Sequence, residues 1–88
     1  MNNSVIEVTA KFFGYYDELP KEIKKKLKKQ LAYLAHNPKH QSLRMHQVEG
    51  SEYWEFYVDR GYRCVFKRQG NSRYELHYVG THDLIDKL

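Results

Sequence analysis

The chain has 88 residues, of which 41% are hydrophobic and 15% aromatic, and its formal net charge is +4. This length allows one small domain, residues 1–88, and the aromatic content excludes a disordered chain. Because the apolar runs are only a few residues long, we predict no membrane-spanning segment, no secretory signal and a cytoplasmic protein.

The N-terminal part is predicted to form a strand followed by a helix. Residues 5–8 are rich in β-branched side chains and alternate weakly, which favours a short strand. Phe12, Tyr16 and Leu19 then recur at helical spacing. We therefore expect the chain to leave the strand and enter a first helix.

A second helix, residues 21–36, has the strongest helical pattern. Pro20 fits its first turn and Asn37-Pro38 ends it. Its two faces are an apolar stripe of Ile23, Leu27, Leu31 and Leu34 and a basic face of Lys24, Lys25, Lys28 and Lys29. The basic face is either a solvated helix surface or a set of phosphate contacts, and an acidic protein partner would suit it equally well.

Residues 43–66 are predicted to be extended. Residues 43–46 alternate as in a strand, with Arg44 and His46 on the same side. Residues 53–66 alternate with period two on either side of residues 59–61, which is typical of a β-hairpin. The predicted inward-facing side chains of the hairpin are Trp54, Phe56, Val58, Tyr62, Cys64 and Phe66.

After a turn at residues 69–72, Tyr74, Leu76 and Tyr78 predict a further strand that turns these side chains inward. Residues 80–83 end the sheet, and the last residues form a short turn or helix. The order β-α-α-β-β-β predicts an α+β fold in which two N-terminal helices pack on one face of a mainly antiparallel four-stranded sheet.

The second face of this sheet stays open and carries polar side chains. They are Arg44, His46, Glu55, Tyr57, Arg63 and Lys67. Histidine and arginine can cleave RNA without a metal: a base removes the 2′-OH proton, a cation neutralises the phosphorane, and an acid protonates the departing 5′ oxygen. Tyrosine can stack on unpaired bases. Alternatively, Arg63 only pairs with Glu55 across the hairpin.

Three histidines, His36, His40 and His46, are spaced in a way that suggests zinc, but we predict no metal site. Asn37-Pro38 interrupts the helix between the first two, and no cysteine pair accompanies them. Cys64 points inward and is expected to be a small core residue. We predict no cofactor.

Several motifs together resemble one family of proteins. They are Leu19-Pro20-Lys21-Glu22-Ile23, Asn37-Pro38, Ser42-Leu43-Arg44 leading to Val48-Glu49-Gly50, the hairpin from Trp54 to Phe66, and Tyr78-Val79-Gly80-Thr81-His82-Asp83. In this order, over nearly the whole chain, they are similar to the RelE/ParE superfamily of toxins from bacterial toxin–antitoxin pairs, especially its RelE, YoeB and YafQ branches.

The resemblance implies a small microbial ribonuclease fold and an mRNA endonuclease that acts in the 30S A site of the ribosome. It also implies a cognate antitoxin that binds the toxin in a hetero-oligomer. Arg63 matches the arginine that stabilises the cleaved phosphate, His82 the C-terminal acid, and His46 the position of the base. Glu55 matches an acidic position of the YafQ-like branch. RelE itself has lysines on the strand where this chain has Glu55 and Tyr57, so the resemblance favours the histidine mechanism here.

The catalytic residues expected from this resemblance are His46, Arg63 and His82. The expected RNA-binding residues are Arg44, Glu55, Tyr57, Lys67, Lys24, Lys25 and Lys28. Two other functions remain open: a ParE-like poison of DNA gyrase that cuts no RNA, and an inactive homologue that only binds its antitoxin. Members of the gyrase-poison type usually lack this set of histidines and arginine, which favours the nuclease.

Overall fold

A computed structural model describes residues 4–70 and 72–87 of the chain. Asn71, in the predicted turn at residues 69–72, and Leu88, at the predicted C-terminal turn or helix, lie outside the described residues. The elements, in chain order, are β1 (Val5–Val8), α1 (Ala10–Asp17), α2 (Lys21–His36), a 3₁₀ helix (Gln41–Leu43), β2 (His46–Gln47), β3 (Tyr53–Asp59), β4 (Tyr62–Gln69), β5 (Arg73–Thr81) and α3 (His82–Asp86).

The strands form one sheet in the order β1-β5-β4-β3-β2. β1 runs parallel to β5, and the other neighbouring strands are antiparallel. The predicted α+β class, with helices packed on a mainly antiparallel sheet, is confirmed. The predicted number of four strands is too low by one, because the two-residue strand β2 also joins the sheet at its edge.

The prediction of a strand over residues 43–46 is wrong for all but its last residue. Leu43 is fully buried at the end of the 3₁₀ helix, and Arg44 has left-handed backbone angles, with φ 45° and ψ 43°. A left-handed residue turns the chain sharply. The extended segment therefore begins only at His46, which pairs with Glu55 of β3.

The second helix, α2, begins after Pro20 and ends before Asn37, as predicted. Its buried side chains lie three or four residues apart and so share one face: Ile23, Leu27, Gln30 and Leu34. With Phe12 of α1, the apolar members of this face pack into the core against the sheet. None of the helices in the described part of the chain is long and apolar enough to cross a membrane.

Gln30 is a polar side chain on the buried face of α2. Its side-chain nitrogen donates hydrogen bonds to the backbone oxygens of Ser42 (3.1 Å) and Tyr57 (2.7 Å). Its side-chain oxygen accepts a hydrogen bond from the Ser42 hydroxyl at 3.3 Å. Because these bonds satisfy the buried carboxamide, they tie α2 to the 3₁₀ helix and to β3.

The inward face of the hairpin is largely as predicted. Phe56, Cys64 and Phe66 are fully buried and Val58 nearly so. Trp54 packs against them while partly exposed. Burial raises the pKa of the Cys64 thiol well above its ordinary value, as expected for an unreactive core residue.

A β-bulge in β5 decides which face Tyr78 occupies. Strand pairing matches Val65 with Tyr78 and Phe66 with Leu76, so His77 is an extra residue between the two pairs. Tyr78 therefore shares the open face with Val65. The prediction that Tyr78 points inward is wrong, because one inserted residue shifts the two-residue period of the strand.

Candidate active site

The open face of the sheet, on the side away from α2, carries rows of side chains that cross neighbouring strands. Two such rows run side by side, His46-Glu55-Val65-Tyr78 and Tyr57-Arg63-Gly80. Neighbouring strands lie about 4.8 Å apart. The register therefore places the predicted residues of β2, β3 and β4 next to one another.

The carboxylate of Glu55 lies between an imidazole and a guanidinium group. Its Oε1 is 3.1 Å from Nε2 of His46 and 3.9 Å from Nε of Arg63. The Glu55 side chain is only 13% exposed, whereas that of His46 is 53% exposed. The predicted proximity of His46, Glu55 and Arg63 is thus present, and a carboxylate is at its centre.

Both ring nitrogens of His46 face hydrogen-bond acceptors. Nδ1 is 2.9 Å from the backbone oxygen of Arg44, and Nε2 faces the Glu55 carboxylate. A neutral imidazole has one N–H and one lone pair, whereas an imidazolium donates from both nitrogens. His46 is therefore held at both ring nitrogens, by the Arg44 carbonyl and by the Glu55 carboxylate.

Arg63 is held from several sides. Its Nη1 donates long hydrogen bonds, of 3.3–3.4 Å, to the backbone oxygens of Asp59, Arg60 and Tyr62 at the hairpin turn. Its guanidinium carbon lies 3.7 Å from the centre of the Tyr57 ring. Since the side chain is only 10% exposed, the site presents a fixed positive charge.

Tyr57 also attracts a second guanidinium. The guanidinium carbon of Arg44 lies 5.0 Å from the centre of its ring. Cation–π contacts of this kind hold both arginines close to the aromatic ring. The left-handed conformation of Arg44 thus brings its exposed side chain to the border of the open face, beside the pair formed by His46 and Glu55.

The third predicted catalytic residue, His82, opens α3. Its backbone N–H donates to the oxygen of Gly61 at 3.0 Å, and its Nδ1 lies 3.7 Å from Oδ2 of Asp86. The Thr81 hydroxyl caps the helix by accepting a hydrogen bond from the N–H of Leu84. His82 therefore stands beside the hairpin turn that holds Arg63, with its imidazole 53% exposed.

The α3 helix approaches the sheet at Gly80. A Cβ atom placed on Gly80 would lie 2.6 Å from Cδ2 of Leu84, closer than real contacts allow. Gly80 pairs with Arg63 on the open face. The absence of a side chain at Gly80 is therefore what lets α3 rest on this row.

A pocket of about 430 Å³ lies between α3 and the open face. Glu55 and Tyr78 line it from the sheet, and Ile85 and Asp86 line it from α3. Its volume is in the range of small-ligand sites. Glu55 and the Asp86 partner of His82 thus face the same space, although His82 makes no direct contact with His46 or Arg63 within the described part of the chain.

A basic groove of about 520 Å³ continues from this site around the edge of β3. Its positively charged lining is Lys26, Lys29, Arg44 and Arg60, with Tyr57 among the other residues. Lys26 also forms an ion pair with Asp59 at 3.2 Å. The groove connects α2 to the arginines around Tyr57.

The predicted RNA-binding lysines divide between two places. Lys67 lies on the open face, 5.1 Å from the centre of the Tyr53 ring and 3.5 Å from a carboxylate oxygen of Glu52. In contrast, Lys24, Lys25 and Lys28 belong to α2, on the other layer of the molecule, and do not join the His46–Glu55–Arg63 cluster. Residues 4–70 and 72–87 contain no group of three or more His, Cys, Asp or Glu placed to hold a metal ion.

The similarity of this chain to known proteins lies in its three-dimensional structure. No protein-family model matches the chain, and no curated protein matches it. YafQ from E. coli strain BL21(DE3) has a similar structure, with TM-score 0.76 and 20% identity over 93% of this chain and 97% of YafQ. The YoeB/ParE toxin from Agrobacterium tumefaciens has TM-score 0.72 and 15% identity over 89% and 98% of the two chains.

The chain has the RelE/ParE toxin fold. The archaeal RelE–RelB complex from Pyrococcus horikoshii OT3 also contains this fold, with TM-score 0.71 and 11% identity over 89% of this chain and 93% of the matched chain. The fold expected from the sequence motifs is therefore confirmed.

Within this RelE/ParE fold, four residues near the site were not among the expected catalytic and RNA-binding residues. Lys26 and Lys29 reach the basic groove because they lie on the side of α2 next to β3. Tyr78 was placed on the wrong face, and Lys11, 67 positions away in sequence, donates a hydrogen bond to it. Gln30, one turn after Lys26, could have indicated the position of Lys26 and Lys29. A polar residue beside the apolar stripe of a helix marks the side on which another element packs.

Proposed function

We propose that this protein is the toxin of a toxin–antitoxin pair and a metal-independent endoribonuclease that cuts mRNA on the ribosome and inhibits translation. One observation carries the proposal: the Glu55 carboxylate lies between His46 and Arg63 on the open face of a RelE/ParE fold. This places a proton acceptor and a fixed cation on neighbouring strands. The adjoining pocket of about 430 Å³, which Glu55 lines, is within the usual range for small-ligand sites.

The reaction has three parts. The His46–Glu55 pair accepts the proton of a ribose 2′-OH, and the 2′ oxygen attacks the adjacent phosphorus. Arg63, with Arg44 beside it, neutralises the charge on the phosphorane oxygens. The bond from phosphorus to the 5′ oxygen breaks as His82 gives that oxygen a proton, which leaves a 2′,3′-cyclic phosphate and a free 5′-OH.

RNA binding is assigned to the surfaces that border this cluster. Arg44 and Lys67 contact the strand that is cut, and Tyr57 holds the guanidinium groups of Arg44 and Arg63 towards it. The basic groove, with Lys26 and Lys29, guides the phosphates that lead away from the site. Lys24, Lys25 and Lys28, which lie on the other layer, contact ribosomal RNA or the antitoxin.

The proposed protein partner is a cognate antitoxin. Solved structures with this fold include the E. coli DinJ–YafQ and RelBE toxin–antitoxin complexes. The net charge of +4 favours an acidic antitoxin segment for the present chain. Such a segment would fold on contact and cover the open face, so that the toxin is released only when the antitoxin is lost.

Expression of the chain without an antitoxin tests this function. We expect rapid growth arrest with loss of protein synthesis, and cut mRNA when the purified protein is added to a translation extract. Mapping of the new 5′ ends measures the cuts. Stalled replication and a DNA damage response, with intact mRNA, would instead identify a gyrase poison. A folded protein that causes no arrest would contradict any toxic activity.

The contact between Gly80 and Leu84 gives a prediction about the position of His82. In Gly80→Ala the new methyl group would lie 2.6 Å from Cδ2 of Leu84, so we expect the Leu84 side chain to turn away and loosen the contact of α3 with the sheet. We expect RNA cleavage to fall by up to about 10²-fold, as for small misplacements of reacting groups. Because Leu84 is 38% exposed, the free energy of unfolding should change little.

The matched control is Gly61→Ala, at the hairpin turn beside the same site. A Cβ atom there has no heavy atom within 4 Å. Cleavage rates of both variants, measured together with urea unfolding, separate a shift of α3 from a loss of stability. Equal cleavage rates in the two variants would show that the packing of α3 against Gly80 does not affect the reaction.

A further inference from the structure

The hydroxyl of Tyr78 is surrounded by positively charged and hydrogen-bonding groups outside the His46–Glu55–Arg63 cluster. Nζ of Lys11 donates a hydrogen bond to it at 3.0 Å and also lies 4.3 Å from the centre of its ring. The Tyr53 ring lies beside Tyr78, with ring centres 6.2 Å apart, and the charge of Lys67 also favours the phenolate. The ammonium group of Lys11 and a second phenol ring thus lie beside one hydroxyl, whereas the ammonium group of Lys67 is also 3.5 Å from Glu52.

Packing around the ring explains why these groups meet. Helix α1 runs beside β5, so Tyr15 packs edge-on against Tyr78 with ring centres 5.4 Å apart. On the other side, Tyr53 packs against both Tyr78 and the bulge residue His77. The bulge at His77 turns Tyr78 towards α1 and β3. The cluster is therefore built by long-range packing of three elements.

The electrostatic effect of this packing is to favour negative charge. The hydrogen bond with Lys11 lowers the pKa of Tyr78 below its ordinary value, and the charges of Lys11 and Lys67 act in the same direction. The same hydrogen bond raises the pKa of Lys11. A place that stabilises a phenolate also stabilises a bound anion, provided that the phenol keeps its proton and donates it in a hydrogen bond.

The cluster lies next to the proposed reaction centre. Tyr53 and Tyr78 line the same pocket as Glu55, and Tyr78 is separated from Glu55 by one strand, or about 10 Å across two strand spacings. The two carboxylates that line this pocket, Glu55 and Asp86, each have a cationic or imidazole partner of their own.

We propose that Lys11, Tyr53 and Tyr78 form a binding subsite for a phosphate of single-stranded RNA, one that neighbours the phosphate to be cut. This rests on the proposed nuclease function and adds to it a second anchor on the substrate. Lys11 supplies the charge, and the Tyr78 hydroxyl donates to a phosphate oxygen. The subsite fixes the strand across β5 while the first phosphate lies at Arg63.

Binding of a short single-stranded 2′-O-methyl RNA tests the subsite, because this probe has no free 2′-OH and is not cut. We expect Lys11→Met to weaken binding for all sequences alike. It should reduce the slope of log affinity against log salt concentration by about 0.7, the value for one phosphate contact with a single strand. Lys21→Met, which removes an exposed lysine of α2, is the matched control.

Tyr78→Phe tests the hydroxyl while the ring contacts with Tyr15 and Tyr53 stay in place. We expect this variant to bind the probe about tenfold more weakly, as for loss of a hydrogen bond to a charged group. It should add little to the effect of Lys11→Met in the double variant, because the two groups share one phosphate.

The pH dependence provides an independent arm. Besides Lys11, Tyr53 and Lys67, the titratable groups that face Tyr78 are Tyr15, Glu55, His77 and Asp86. Below the lowered pKa of Tyr78 the phenol donates to phosphate, and above it the phenolate repels phosphate. Affinity of the parent should therefore fall as alkaline pH rises through that pKa, earlier than for an ordinary tyrosine. Tyr78→Phe should lack this loss.

The outcomes separate the subsite from the nuclease function. A parent that binds the probe through Lys11 but cuts no unmodified RNA overturns the nuclease and leaves the subsite intact. A parent that cuts RNA, while Lys11→Met and Lys21→Met bind the probe equally well, overturns the subsite alone. If Tyr78→Phe loses as much affinity at alkaline pH as the parent does, the Tyr78 hydroxyl is not the donor to phosphate.

Discussion

Replacing both His46 and His82 by alanine should slow RNA cleavage by at least about 10²–10⁴-fold, the usual contribution of general acid–base catalysis. The double variant should also fail to arrest growth. Neither side chain is buried, since both are 53% exposed, so the fold should survive the change. Single-turnover cleavage of mRNA in a translation extract measures the rate, and urea unfolding confirms that the variant is folded.

His36→Gln is the matched control for this experiment, because His36 is exposed at the end of α2, on the other layer of the molecule. Its cleavage rate should equal that of the parent. If the double variant cuts RNA as fast as His36→Gln does, the histidine mechanism is wrong, whatever the role of the fold.

Glu55→Gln divides the roles within the pair. The amide keeps the shape of the side chain but carries no charge and cannot accept the proton. If Glu55 is the proton acceptor, Glu55→Gln should lose as much activity as His46→Ala. If His46 accepts the proton alone, the amide should retain most of the rate. In both cases Arg63 stays in place, because the carbonyls of the hairpin turn hold it.

The largest expected effect on stability comes from Phe56. Its ring is fully buried in β3 and packs against Phe66, with ring centres 5.8 Å apart. Phe56→Ala removes most of a buried ring and leaves a cavity, which typically costs about 3–5 kcal/mol. Small domains are stable by about 5–15 kcal/mol in total, so we expect Phe56→Ala to remove a large part of the free energy of unfolding.

Phe13→Ala provides the comparison, because Phe13 is 56% exposed on α1 and its truncation removes little buried surface. The free energies of unfolding of the two variants, calculated from their urea midpoints with a common m-value, should differ by several kcal/mol. Similar midpoints would mean that the inward face of the hairpin is not the centre of the core.

Much of the fold follows from local patterns in the sequence. The spacing of Ile23, Leu27 and Leu34 predicts α2 and its buried face, and Pro20 and Asn37 predict its ends. The two-residue period of the hairpin predicts the inward position of Phe56 and Phe66. These features are visible because they repeat along the chain at the period of the element.

The errors lie where one residue changes the backbone. The left-handed conformation of Arg44 ended the predicted strand, and the extra residue His77 moved Tyr78 to the other face. Neither residue type requires such a conformation, so tertiary packing decides it. The alternating pattern does not show this bulge, because Tyr78 continues the two-residue spacing of Tyr74 and Leu76 in the sequence. The extra residue nevertheless moves Tyr78 to the opposite face.

The candidate site was predictable in part for the same reasons. Strand alternation was enough to expect His46, Glu55 and Arg63 on one face. It could not show that Glu55 is the nearly buried centre of the three, because that depends on the register between β2 and β3. The approach of Lys11 to Tyr78 joins residues 67 positions apart and has no local signature at all.

The hydrogen bonds of Gln30 have a consequence for how the protein can be controlled. One carboxamide holds the backbone of Tyr57, whose ring contacts the arginines of the open face, and it does so from the helical layer. A molecule that binds the outer surface of α2 and tilts it would pull on that carbonyl and misalign the guanidinium groups beyond it. An inhibitor of this protein therefore need not occupy the cleft where RNA would bind, and could act from the back of the sheet.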